Sequence, residues 1–284
     1  MAEENKIKSG FVAIVGRPNV GKSTELNRLV GEKVAIVTEK PETTRNRIQG
    51  ILTNKDAQVV FVDTPGIHKP KNLLGKYITK AAKDSLLEVD LVIFIIDMTK
   101  GITDEDKLIF KLVKEAGKPA LLLINKVDLK SKSLALPLIE EAAKLYDFKE
   151  LIPTSALTGD NMDAVLAMAI KHLPYGPKMF PDSQFTDKSE RFMAGEIVRE
   201  KALELTHEEV PHSIAVLIEE FAERPKKVTF IRATIYVERQ SQKKIIVGHR
   251  GQMLKYIGEA ARRDIQKLIG RRSEEHTSEL QSHH

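Results

Sequence analysis

The stretch Gly16-Arg17-Pro18-Asn19-Val20-Gly21-Lys22-Ser23 constrains this chain more than any other. Its spacing is G-x-x-x-x-G-K-S, a pattern that carries a mechanism only between a strand and a helix. Residues 11–15, Phe-Val-Ala-Ile-Val, supply a short apolar run before it. After it, Leu26, Leu29 and Val30 recur at i, i+3 and i+4, the spacing of one helix face. Glycines let backbone N–H groups close around anionic oxygens, and the positive end of the helix adds to the attraction. Gly16, Asn19, Val20, Gly21, Lys22, Ser23 and Thr24 are thus expected to line a nucleotide's phosphates. Lys22 would neutralise the β- and γ-phosphates and the Ser23 hydroxyl would ligate Mg²⁺. The plainer alternative is a Gly/Pro turn joining strand to helix.

The chain from residue 8 to 174 alternates strand-like apolar runs with amphipathic stretches. Strands are expected at 11–15, 58–62, 91–97 and 120–125, and helices at 73–88, 104–116, 134–146 and 162–172. Continuous apolar runs suit strands covered on both faces, hence an α/β domain with a mostly parallel sheet and helices on each side. Ligands of such folds bind at the carboxyl ends of the strands. Asp63-Thr64-Pro65-Gly66 follows one of them. Its carboxylate can hold Mg²⁺ through a water, and the Gly66 N–H can meet a γ-phosphate. Asn125-Lys126-Val127-Asp128 ends another. The Asp128 carboxylate suits guanine N1–H and its 2-amino group, a pair adenine does not offer, and an unpaired buried acceptor costs about 1–3 kcal/mol. Asn125 would brace that loop and the Lys126 stem would cover the ring. At Ser155-Ala156-Leu157, a small residue lets a backbone N–H reach the guanine carbonyl. The polar loop carrying Thr43-Thr44-Arg45 offers a threonine able to close over a γ-phosphate and its Mg²⁺.

Composition limits what else the chain can be. Its 284 residues suffice for about two domains. It has no cysteine, which excludes disulfides and thiolate zinc sites and accords with a cytoplasmic protein. Residues 1–10 are polar and read as no signal peptide. The net charge of +5 is uneven: residues 224–272 carry 14 Lys/Arg against 3 Asp/Glu. A block this basic points to a polyanion partner, nucleic acid first and acidic lipid on the inner face of the cell membrane second.

Residues 175–188, rich in Pro and Gly, read as a linker. A second, α+β domain is expected over 189–272: a helix at 189–205, then antiparallel strands at 213–220 and 228–238, each with one buried face. Gly248-His249-Arg250-Gly251 follows the apolar Ile245-Ile246-Val247. A basic G-x-x-G turn entering a helix is the backbone clamp of KH domains, and 258–269 reads as a further helix. Gly248, His249, Arg250 and Gly251, with Lys243, Lys244 and Lys255 around them, are the candidate RNA contacts. Residues 273–284 hold one Leu and no alternation, so they read as a non-native or disordered tail, and the KH-type domain is expected to lack its last strand.

The ordered set G-x-x-x-x-G-K-S, T-T-R, D-T-P-G, N-K-x-D and S-A-L resembles the Era family of bacterial GTPases, which join a P-loop GTPase domain to a KH domain. The likeness runs from about residue 8 to 272. It implies a GTP-hydrolysing switch that binds small-subunit ribosomal RNA near its 3′ end and acts in small-subunit assembly, with GTP or GDP and Mg²⁺ as cofactors and a monomeric state. It makes Thr44, before Thr43, the switch threonine on Mg²⁺, and gives Asn19 the task of holding a K⁺ against the phosphates. Ile67 stands where other GTPases carry a water-orienting Gln, and an isoleucine cannot hydrogen-bond water. Hydrolysis is therefore expected to be slow, with no side-chain base and with Lys22, Asn19 and Gly66 supporting the transition state. The alternative is an RNA-tethering module with negligible turnover. Glu25 departs from the family, which has an apolar residue there. If the position packs inward, the carboxylate is a liability to stability.

Overall fold

The computed structural model describes residues 7–38, 48–63, 86–206, 214–225, 228–270 and 272–275. They fall into two compact units. The first holds 7–35 and 48–187, the second 36–38 and 188–275.

In the first unit the long apolar runs become inner strands. The elements β1 (Ile7–Val15), β3 (Ala57–Asp63), β4 (Leu91–Asp97), β5 (Ala120–Asn125) and β6 (Glu150–Pro153) lie in the order β3-β1-β4-β5-β6, all parallel. Every residue of β3, β4 and β5 is buried, as strands covered on both faces require. An edge strand that the sequence reading did not anticipate, β2 (Ile48–Thr53), pairs antiparallel with β3. Gly50 within it has a packing reason: a Cβ there would come within 2.7 Å of Leu26 and 2.8 Å of Val30 on α1 (Lys22–Val30).

The helices α2 (Asp104–Ala116), α3 (Ala135–Leu145) and α4 (Met162–His172) connect the remaining strands. Thr103 and Asp106 cap α2 reciprocally, and Gly117 ends it in the left-handed region. Phe94 of β4 packs edge-on against Phe110 of α2 at 4.8 Å between ring centres, and Phe148 completes the cluster. Of the expected helix at 73–88, Leu86, Leu87 and Glu88 fall among the described residues; the first two are helical and Glu88 lies in a bend.

Residues 175–187 are a strap along the first unit rather than a free linker. The short strand β7 (Tyr175–Gly176) pairs antiparallel with the start of β1. Buried Gln58 accepts from the Met179 and Phe180 N–H groups at 2.6 and 3.0 Å and donates to the Phe180 carbonyl at 2.8 Å. Farther on, Gln49 and Asp187 exchange hydrogen bonds beside the Gly50–Thr186 bridge. Local Pro/Gly content marks where a chain turns but not what it lies against, which is why the strap read as a linker.

The second unit opens with α5 (Glu190–Leu205), capped by the Ser189 hydroxyl. Antiparallel β8 (Ala215–Arg224) and β9 (Val228–Tyr236) follow, then α6 (Gln240–Val247) and α7 (Gln252–Ile269). Ile197, Ile218, Ile231, Ile235, Ile246, Ile257 and Ile265 share one core, and Leu217 and Tyr236 mark the exposed face of the sheet. The expectation that this domain lacks its last strand is corrected. The strand β10 (Arg272–Glu275) runs parallel to β9, Arg272 opposite Val228 and Glu275 opposite Ile231. A ladder is made by backbone groups, so a polar segment can join it without the apolar alternation used to exclude it. The residues 273–275, assigned to a tail, therefore belong to the sheet.

Candidate nucleotide and RNA sites

The phosphate loop joins β1 to α1 as its sequence demands. Gly16 lies so close to β4 that a Cβ would meet the Ile95 carbonyl oxygen at 2.6 Å. Gly21 has φ 105°, and a Cβ there would meet Asn125 Nδ2 at 2.3 Å. Lys22 is buried and donates to the Arg17 carbonyl at 2.9 Å. Burial pulls its ammonium down to about 8, partly opposed by Asp63 and reinforced by Arg17. Asp63, fully buried at the end of β3, accepts from the Ser23 hydroxyl at 3.1 Å. These two oxygen donors are hard ligands of the kind Mg²⁺ takes, so the expected pair is assembled. Thr43, Thr44, Gly66 and Ile67 lie outside the described residues.

The residues expected to read the base are tied directly to the phosphate loop. Asn125 Nδ2 donates to the Val20 carbonyl at 2.8 Å, and Lys126 Nζ donates to the Asn19 carbonyl at 2.7 Å. Asn125 Oδ1 accepts from the N–H groups of Lys126 and Ala156, so one side chain holds the 125–128 and 155–157 loops together. The Ala156 N–H is thus directed at Asn125, where the sequence reading had an N–H of this loop facing the base. Asp128 sits exposed in a 3-10 turn, Val127–Leu129, with its carboxylate open to a ligand. Leu157 is 72% exposed, an apolar surface beside the loop.

Four supporting contacts were not read from the sequence. Asp97, buried at the end of β4, accepts from Lys126 Nζ at 2.8 Å and from the N–H and hydroxyl of Thr99. Burial raises its carboxyl, but Lys126 and Thr99 outweigh that and hold it below the ordinary range. Arg17 Nε and Asp106 form a buried pair at 3.1 Å linking the phosphate loop to the cap of α2. Asn27 accepts from Val34 and Ala35 and donates to Ala35, shaping the exit of α1. Arg28 donates to the Ala156 and Leu157 carbonyls at 3.2 and 2.6 Å. A polar residue closing an apolar strand is the signal that could have found Asp97, since Asp63 and Asn125 share it.

Glu25 does pack inward. It is fully buried, Oε1 accepts from the Thr154 hydroxyl at 3.0 Å, and Oε2 has no partner. Burial pushes its carboxyl up from 4.5 to about 7, against the Thr154 bond and the nearby Arg28 charge.

In the second unit Gly248-His249-Arg250-Gly251 forms the turn between α6 and α7. Gly248 has φ 70°, and a Cβ would meet the Met253 backbone nitrogen at 2.9 Å. Arg250 takes a left-handed φ of 50° and is exposed with His249 at the tip. Lys244 and Lys255 are exposed on the flanking helices and Lys243 is half-buried. Two glycines with positive φ, 70° at Gly248 and 79° at Gly251, and the cations around them suit a nucleic-acid backbone.

Comparison with known proteins agrees with the two domains. A family model described as "50S ribosome-binding GTPase" matches residues 11–126, and a KH domain model matches 209–272. A crystal structure of a variant of Aquifex aeolicus Era bound to GDP·AlF4⁻ is 43% identical, with a TM-score of 0.90 over 95% of this chain and 92% of that one. A structure of Era with MgGDPNP and nucleotides 1506–1542 of 16S ribosomal RNA matches equally well, at 43% identity, a TM-score of 0.90 and the same coverage of both chains. On these matches the chain belongs to the Era family of GTPases.

Proposed function

We propose that this protein binds and slowly hydrolyses GTP at the 16–23 loop, binds small-subunit ribosomal RNA at the 248–251 turn, and acts in assembly of the small subunit. The observation that carries the reading is the pair of bonds from Asn125 and Lys126 to the Val20 and Asn19 carbonyls, 2.8 and 2.7 Å. They support a reading in which guanine selection and phosphate binding share one site. The Era complex with MgGDPNP and a 16S fragment supports the nucleotide and the RNA.

In this reading Lys22 and the loop N–H groups hold the phosphates, while Asp128 accepts from the guanine edge. Ser23 and Thr44 would hold Mg²⁺, with Asp63 reaching it through a water, and a bound Mg²⁺ would supply positive charge to the β- and γ-phosphate oxygens. Asn19 would hold a K⁺ that adds to that charge. With isoleucine at 67, water is positioned by the loop and the cations, so turnover is slow. The protein works in the cytoplasm as a monomer, and its basic block allows peripheral contact with acidic membrane. Among the described residues no helix is long and apolar enough to cross a membrane.

The test is phosphate release from GTP and ATP, in Na⁺ and in K⁺, with titration of a labelled 3′-terminal 16S oligonucleotide. Expected are release from GTP alone, faster in K⁺, and RNA binding that Arg250→Glu weakens about tenfold or more. Release from ATP at the GTP rate, or RNA binding indifferent to Arg250→Glu, would overturn it. GTP binding without release would leave the tethering module as the better description.

A further inference from the structure

Asn19 and Lys126 are non-glycine residues held in left-handed backbone, with φ 63° and 69°. Such conformations persist only where the surroundings over-determine them. What connects the two is the Lys126 ammonium, 2.7 Å from the Asn19 carbonyl. That ammonium also meets Asp97 Oδ2 at 2.8 Å, and the Asp97 side chain is only 2% exposed. Asp97 Oδ1 accepts twice from Thr99, by its N–H at 2.8 Å and its hydroxyl at 2.6 Å. The carboxylate therefore cannot swing away from the lysine without breaking the turn that follows β4.

We infer that Asp97 is a positioning residue of the nucleotide site: through the Lys126 ammonium it holds the base-reading dipeptide against the Asn19 carbonyl of the phosphate loop. The inference rests on the guanine-nucleotide reading above and adds a residue to it. The charges explain the geometry. A lone ammonium beside a carbonyl could turn to water, since a lysine stem is flexible. An anion fixed by two Thr99 donors confines it in the one place from which it reaches Asn19. The stem of Lys126 is then stretched where the face of a bound base would lie. Asp97 itself touches no ligand and acts only through Lys126.

The simpler role for Asp97 is to cap its own turn, where its carbonyl also accepts from the N–H groups of Lys100 and Gly101. Asp97→Asn separates the two roles. An amide oxygen can still serve Thr99, but its NH₂ then faces the ammonium and the charge pairing is gone. The experiment is a double-mutant cycle on the full chain: GDP affinity by calorimetry for wild type, Asp97→Asn, Lys126→Met and the double variant.

Asp97→Asn is expected to weaken GDP about 10–100-fold, the scale of losing a charge-assisted hydrogen bond. In the Lys126→Met background the same change should cost less than about twofold, because the group it acts through is gone. Losses that multiply, or an Asp97→Asn protein with unaltered GDP affinity, overturn the inference. Should the Asn variant fail to fold, Asp97→Ser, which keeps a turn acceptor without the charge, is measured in the same cycle with the same expectations. Wild-type GDP and ADP affinities are taken alongside. If they are equal, the guanine reading fails and this inference with it. If GDP is preferred and the cycle is additive, this inference alone fails.

Discussion

Glu25 shows how one residue can sit at odds with the fold that carries it. It occupies a core position on α1 with one carboxylate oxygen bonded to Thr154 and the other unpartnered. Its folded pKa of about 7 stands above the ordinary 4.5. Between those values the folded state binds the extra proton, so stability falls as pH rises through that window and the full cost is reached above about pH 7. A shift of this size corresponds to about 3 kcal/mol. Glu25→Leu is therefore expected to raise the melting temperature by several degrees at pH 8 and by clearly less at pH 5. Thermal melts of both proteins at the two pH values check this. An equal gain at both, or none at pH 8, would show that the buried charge is not the cause. The sequence exposed the oddity of Glu25 through its family pattern, while its Thr154 partner, 129 positions away, needed the fold.

At the scale of elements, the regular parts were legible and the irregular ones were not. Periodicity placed β4, β5, α2 and α4 at their observed bounds, because buried strands and amphipathic helices write their environment into local sequence. β2 was missed: an edge strand with one glycine carries little pattern. β10 was excluded for want of apolar residues that backbone pairing does not need. The strap was missed because its holds are distant in sequence: the pairing of β7 with β1, the Gln49–Asp187 exchange and the buried Gln58 side chain. That residue makes a prediction. Gln58→Leu leaves the Met179 and Phe180 N–H groups and the Phe180 carbonyl without their partner, at a cost of about 2–4 kcal/mol. Urea denaturation should show the loss, and limited proteolysis should cut within 175–187 sooner than in wild type. A variant within about 0.5 kcal/mol of wild type, uncut in the strap, would mean that strand pairing alone secures it.

The whole molecule is two units, each with its own core and its own candidate anion site. The phosphate loop and base-reading loops were legible because nucleotide chemistry fixes residue types at short spacing. The ties between them were not, since Asn125 to Val20 spans 105 positions and Lys126 to Asn19 spans 107. Basic charge marked the second candidate site, and the structure added the tight turn in which Gly248 packs on Met253. The nucleotide-site roles proposed for the first unit depend on the ligand being a guanine nucleotide. Titration of GDP and ADP into the same preparation tests that most directly. GDP is expected to bind at least about 100-fold tighter, since a site built to hydrogen-bond one base edge leaves its acceptor unpaired with another. Equal affinity for the two nucleotides would contradict it.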